Sequence, residues 1–374
     1  MLQLDTIVTA CQEFGEKYIT PYTKRTDEEG RFPQESFDAL KKEGFTALLV
    51  PKEYGGLGGG VKEHVQVCYG LGRFCATTAL CYMMHNTAVY AVSMFGSKEL
   101  KTDVLPRVAK GELLFALAYS ESGSGTHFGA PDITEKQDGD CRILNGRKSF
   151  VTSAEYADFY LTYTNSCNKQ GTYNSWLVDS RLSGVVAEQG TWNGLGMRGN
   201  NSKPIQYNNV RVSEKFLLGN DGDGETHSGA LIMYFITGLG AVYSGLGDAI
   251  YRCILGHTKE RKYTTGGSLS DIELVKIHLA DIYTKVQGGI SLTMEAARSF
   301  DAKESDFAPK VFACRIHVIH NVMDIASLAM RLGGGKAYSK HLALERYFRD
   351  AFASQVMAPS LDVLKIWLGS AITA

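Results

Sequence analysis

The sequence predicts an α+β chain in three parts: an N-terminal helical region, a middle antiparallel β region and a C-terminal four-helix bundle. Three observations carry this. Apolar residues recur at helical spacing through the first ~115 residues. β-branched and aromatic runs separated by turn residues follow, and the helical period then returns. The boundaries fall at 1–115, 116–221 and 222–374.

In the first region Leu4, Ile7, Val8, Cys11, Phe14 and Tyr18 form an amphipathic stripe, and Pro21 is expected to end or bend that helix. FPQESFDALKKEGF repeats the pattern with Phe37, Leu40 and Phe45 inward. PKEYGGLGGG is a glycine-rich loop but not a phosphate loop, because no GK[ST] follows. The segment 61–95 reads as helix.

In the middle region Asn145-Gly146 lies between apolar runs in CRILNGRKSFV, a strong hairpin signal. FYLTYTN, SWLVDS, GVVAEQ and PIQYNNVRV read as strands. Beyond them, segments 226–263, 271–300, 308–332 and 340–356 read as the helices of a bundle.

Composition narrows the function. The chain has 374 residues, 44% of them hydrophobic, and a formal net charge of −1, which gives nucleic acid no electrostatic attraction. The N-terminal stretch carries Asp5 and Glu13 and no basic segment, so a secretory signal is not expected. No apolar run of about 18 residues is evident, so no membrane span is expected. The eight cysteines contain no CxxC pair and read as reduced core thiols of a cytoplasmic protein. His317 and His320 share a helix face without further ligands nearby, so no metal site is expected.

AYSESGSGTHFGAPD, at the change from helix to strand, is rich in small and hydroxyl residues. Such residues let a flat ring approach the backbone and donate to its edge. Residue chemistry alone leaves two readings, a polar loop and a ligand loop, and favours the polar loop.

Together the motifs resemble the acyl-CoA dehydrogenase family. That family's T-E-P-G-x-G-S-D loop corresponds to Ser120-Glu121-Ser122-Gly123-Ser124-Gly125-Thr126-His127, and its LNGxKxWIT to LNGRKSFVT. Its GMRG, ERKxFG, GGxG and RDA segments correspond to GLGMRGNNSKPIQYNNVRV, ERKYTTGG and LGGGKAYSKHLALERYFRDA, in the same order. The resemblance implies FAD. It places Tyr119, Ser120, Gly125, Thr126, Phe150 and Thr152 around the ring system and its loop. Arg261 matches the arginine that meets the pyrophosphate, and Gly333 and Gly334 match the glycines beside a neighbouring subunit's FAD. Arg198 reads as structural. A homodimer or homotetramer is implied. Two family glutamines are missing, with Glu273 and Met330 near their places, which implies a modified adenosine end.

The catalytic base is missing as well. The family's glutamate lies nine residues after the arginine of RDA, which counts to Ala358; a second branch places it 26 residues before the arginine matched by Arg261, which counts to Phe235. Neither accepts a proton, so the catalytic residue is unknown. The APSLDVL segment after RDA resembles family members that act on acyl groups tethered to acyl carrier proteins. Those enzymes make hydroxymalonyl or aminomalonyl extender units, and the implied substrate is a seryl or hydroxyacyl group. Three other readings stay open: a flavin monooxygenase of this fold, an acyl-CoA dehydrogenase using a displaced acid such as Asp362, and a non-catalytic scaffold.

Overall fold

The stripe that begins at Leu4 becomes α1 (Ile7–Phe14), with Ile7, Cys11 and Phe14 buried; Val8, expected on the stripe, instead faces outward and is exposed. These contacts belong to a computed structural model that describes residues 2–123, 125 and 131–374. Pro21 does not end the helix. A single π-turn (Gly15–Ile19) leads into α2 (Thr20–Glu29), where Pro21 sits in the first turn and no intrahelical N–H is required of it. Helices α3 (Gln34–Lys42), α4 (Val61–Gly72), α5 (Ala76–Phe95) and α6 (Lys98–Ala109) follow. The expected single helix over 61–95 is thus broken before Ala76. α5 is buried on nearly every face, so its apolar period is indistinct in the sequence.

Strands β1 (Phe115–Ala118), β2 (Thr134–Asp138), β3 (Cys141–Val151), β4 (Phe159–Asn165), β5 (Tyr173–Asp179), β6 (Val185–Ala187), β7 (Lys203–Ser213) and β8 (Leu217–Leu218) form one sheet. Its order is β6-β7-β3-β2-β4-β5-β8, with β1 paired to β4. The sheet is mostly antiparallel, but β1 and β2 each pair with β4 in parallel. Asn145-Gly146 is not a hairpin turn. It sits inside β3 at a register shift against β7, and the β2–β3 connection is made at Gly139. Gly146 has φ 143°, and a Cβ there would meet Ile133 at 2.7 Å, so the glycine serves a bulge and a close approach.

The helical period returns in α7 (Gly224–Glu260), α8 (Glu273–Asp301), α9 (Phe307–Tyr338) and α10 (Leu344–Val356). A further helix, α11 (Leu361–Thr373), packs Leu364 and Trp367 beside Phe312 of α9. One apolar core runs from α1 through α4 and α5 into α7, α8 and α9, while the sheet has its own core around Trp176 and Tyr207. Contrary to expectation, α7 and α9 are each long and apolar enough, by composition, to cross a membrane. In this fold the most apolar window of α7 is 72% buried against other elements. A helix enclosed on several sides is apolar all round for that reason. All eight cysteines are unpaired and six are buried.

Candidate active site

β1 delivers the chain to Tyr119 at the wall of a cavity of about 630 Å³. The sheet region contributes Tyr119, Ser120, Glu121, Phe150, Thr152 and Tyr163. One face of α7 contributes Ser228, Leu231, Ile232 and Phe235. The end of α10 and the residues after it contribute Ala353, Val356, Met357 and Ala358. Five residues singled out from the sequence, Tyr119, Ser120, Gly125, Phe150 and Thr152, therefore meet at one cavity. Both positions where the family keeps its glutamate join them. Thr126 lies outside the described residues.

Local backbone explains how these side chains reach the cavity. A second register shift in β3, between Lys148 and Val151, lifts Phe150 out of the pleat. Phe150 takes φ 52°, a left-handed conformation costly for an aromatic residue and characteristic of functional sites. Its ring is 66% exposed and meets Trp192 edge-on at 6.1 Å. Thr152 Oγ1 and Ser202 Oγ lie 3.0 Å apart, both buried. Gly196 admits the opposite wall: a Cβ there would stand 2.2 Å from the Arg349 carbonyl oxygen of α10. The Met197 N–H donates to Asp350 at 2.6 Å, and Arg349 grips Asp27 of α2 with two hydrogen bonds of 2.8 and 2.6 Å. Arg198 donates to the Asp27 carbonyl at 2.8 Å, in keeping with its structural reading.

Among the described lining residues there is no histidine, aspartate or cysteine, and the carboxylate is Glu121. Glu121 pairs with Lys148, both side chains fully buried, and accepts from the Asp132 N–H. Burial holds the Lys148 ammonium down to about 8, against the attraction of Glu121. Burial pushes the Tyr119 and Tyr163 phenols well above their usual range, so both are neutral donors. Asp362 is exposed in the first turn of α11 and does not line the cavity.

Arg261, Gly333 and Gly334 gather elsewhere. Arg261 ends α7 with its guanidinium over Tyr263. Gly334 kinks α9 at φ 54°, ψ −139°, with open space where a Cβ would stand. His257, one turn before Arg261, links the two: burial first, then Lys336 and Arg261, lower its pKa. Its Nε2 is buried and has no hydrogen-bond partner among the described residues. Two cations, an orphaned ring nitrogen and an open glycine kink suit a phosphate. Glu273 is exposed in the first turn of α8, and Met330 is half-buried in α9.

Comparison with known proteins agrees with this geometry. Residues 3–112 match the acyl-CoA dehydrogenase N-terminal domain, 116–210 its middle domain and 237–369 its C-terminal domain. The chain belongs to the acyl-CoA dehydrogenase family. An acryloyl-CoA reductase (NADH) of Anaerotignum propionicum is 28% identical over 371 residues, covering 95% of this chain and 91% of the relative. Butyryl-CoA dehydrogenase from Megasphaera elsdenii superposes with a TM-score of 0.94 at 20% identity, covering 99% and 98% of the two chains. The prolyl acyl carrier protein oxidase AnaB superposes with a TM-score of 0.90 at 19% identity, covering 99% of each chain. At these identities the structural likeness is one of fold.

FAD is the cofactor of this family. The residues present fit it. Phe150 and Trp192 would supply apolar surface for the ring and Ser120 and Thr152 hydroxyls, and Trp192 Nε1 is a buried donor without a partner among the described residues. Sequence reasoning missed Tyr163, Trp192 and Ser228. Tyr163 and Ser228 sit in segments that read as ordinary strand and helix, and nothing local marks Trp192.

Proposed function

We propose that the protein is an FAD-dependent dehydrogenase that oxidises a small acyl group, seryl or hydroxyacyl, held as a thioester on an acyl carrier protein. The product would serve an aminomalonyl-type extender unit for polyketide–peptide assembly. The observation that supports this is the pair Phe235 and Ala358. Both base positions face the cavity with side chains that cannot take a proton, and Glu121 is committed to Lys148. A positioned base contributes about 10²- to 10⁴-fold, so a site without one is poorly suited to removing an α-proton.

Oxidation at a carbon bearing a hydroxyl or amine makes a smaller demand. Bound FAD would supply the two-electron acceptor for the hydride of that carbon. The accompanying proton leaves oxygen or nitrogen for water, and a carbonyl or imine is formed. Ser120 and Thr152 would donate at the ring edge, and Phe150 with Trp192 would shield its face from water. Arg261, His257 and Lys336 would hold the pyrophosphate of a second copy's FAD across the Gly333–Gly334 kink, in a homodimer or homotetramer. Carrier-protein dependence draws support from the APSLDVL segment and from the fold shared with AnaB.

Anaerobic mixing of the FAD-loaded protein with candidate thioesters tests the proposal through flavin absorbance. Seryl- or hydroxyacyl-carrier protein should bleach the flavin, and saturated acyl-CoA should not. Bleaching by acyl-CoA alone would overturn it. Oxygen incorporation with exchangeable reduced flavin would instead identify a monooxygenase.

A further inference from the structure

Three hydroxyls in the cavity wall have no part in the oxidation step described above, although the resemblance also puts the Tyr119 position beside the flavin ring. Tyr119 follows β1, Tyr163 lies on β4 and Ser228 lies on α7, so three separate elements bring them to one cavity. The two tyrosine rings stack at 4.1 Å and 10°, and Tyr173 meets Tyr163 edge-on at 5.2 Å. This packing fixes where the phenol oxygens sit. Both oxygens are buried, and neither makes a well-aligned hydrogen bond among the described residues. The two phenols lie within electrostatic reach of each other and of Tyr173, and Tyr163 also of Ser228.

A buried hydroxyl without a partner is costly, and phenylalanine at either position would remove the cost while keeping the stacked ring. The α7 wall alongside is apolar, formed by Leu231, Ile232 and Phe235. Ser228 lies seven residues before Phe235, which is about 10 Å along the helix. A cavity for a plain hydrocarbon acyl chain would gain nothing from phenols there. An acyl group carrying its own donor and acceptor would satisfy them.

We propose that Tyr119, Tyr163 and Ser228 form a specificity subsite that hydrogen-bonds a hydroxyl or amine on the acyl group. This rests on the reading of the cavity as a site for a small polar acyl group. It adds which residues select that polarity. Because burial keeps both phenols neutral, the subsite binds by hydrogen bonding rather than by taking a proton.

The test is anaerobic calorimetric binding of two pantetheine amides, 3-hydroxypropionyl and butyryl, which differ by a hydroxyl for a methyl, to the protein with its FAD reduced beforehand, so that no hydride acceptor is present. The unaltered protein should prefer the hydroxylated ligand. Tyr163→Phe should weaken that ligand about tenfold or more and leave the butyryl ligand unchanged or tighter. Ser228→Ala, away from the positions matched to the flavin, should act in the same direction. Retained FAD and an unchanged visible spectrum establish that each variant is folded. No preference in the unaltered protein, or equal weakening of both ligands by Tyr163→Phe, would overturn the subsite. Neither ligand needs turnover or a carrier protein. A failure of carrier dependence would therefore leave this result standing, and loss of the preference alone would leave the proposed oxidation standing.

Discussion

Phe235 on α7 and Ala358 beyond α10 face the same cavity, although 123 residues separate them in the chain (358 − 235). Two alternative places for a proton acceptor thus converge in space and carry a phenyl ring and a methyl group. The arrangement yields several testable consequences.

Restoring the carboxylate should restore the ordinary family reaction. Ala358→Glu is expected to make the FAD-loaded protein bleach with butyryl-CoA about 10²- to 10⁴-fold faster than the unaltered protein. Stopped-flow absorbance measures this directly. No gain in a variant that retains FAD would show that more than the base has been lost.

Asp350 links stability to pH. Burial raises its carboxyl from 3.8 to about 6, opposed by the Met197 N–H and by Arg346. Between those values the folded chain keeps a proton that the unfolded chain has released. Stability is therefore fully present below about 4 and falls as pH rises through about 6. Asp350→Asn keeps an acceptor for Met197 and carries no such proton. The variant should gain on the unaltered protein, by on the order of 1–3 kcal/mol, across this window. Denaturant midpoints at a series of pH values check the difference; a constant gap would contradict it.

Glu121 and Lys148 should behave as one unit. Glu121→Gln or Lys148→Met alone leaves a buried charge uncompensated, at a cost of about 3–5 kcal/mol. The double variant should cost less than the two single losses added together. Chemical denaturation of the four proteins in the cycle measures this coupling.

Much of the fold was legible because periodicity reports which face is buried. Ile7, Cys11 and Phe14 mark α1, and the middle region's β-branched runs mark β4, β5 and β7. Where burial is all-round, as in α5, the period vanishes and the break before Ala76 was not visible. Asn145-Gly146 misled because the same φ freedom that suits a tight turn also suits a bulge. At the cavity, the resemblance to the family, not spacing by itself, singled out Ser120, Phe150 and Thr152, which line it. Tyr163 and Ser228 were invisible because their importance comes from β1, β4 and α7 meeting, a long-range fact without a local pattern.

Gly196 should not tolerate a methyl group. Gly196→Ala would drive a Cβ against the Arg349 carbonyl and separate the Met197 segment from α10. Overpacking of this kind costs about 1–3 kcal/mol. Weakened FAD retention is expected along with a lower melting temperature, checked by gel filtration with absorbance at the flavin bands.

Arg261→Ala should loosen FAD while leaving helix content intact. The expected loss is about tenfold or more in FAD affinity, since a charge-assisted contact to phosphate would be removed. Fluorescence titration of the FAD-free protein measures it, and circular dichroism reports the fold.

The central claim is that this cavity oxidises without taking an α-proton. The most direct measurement is flavin reduction by 3-hydroxypropionyl-carrier protein deuterated at either the α- or the β-carbon. The account predicts a primary isotope effect from the β label and none from the α label. Slower reduction with the α-deuterated substrate would contradict it, because the α C–H bond would then break in the rate-limiting step.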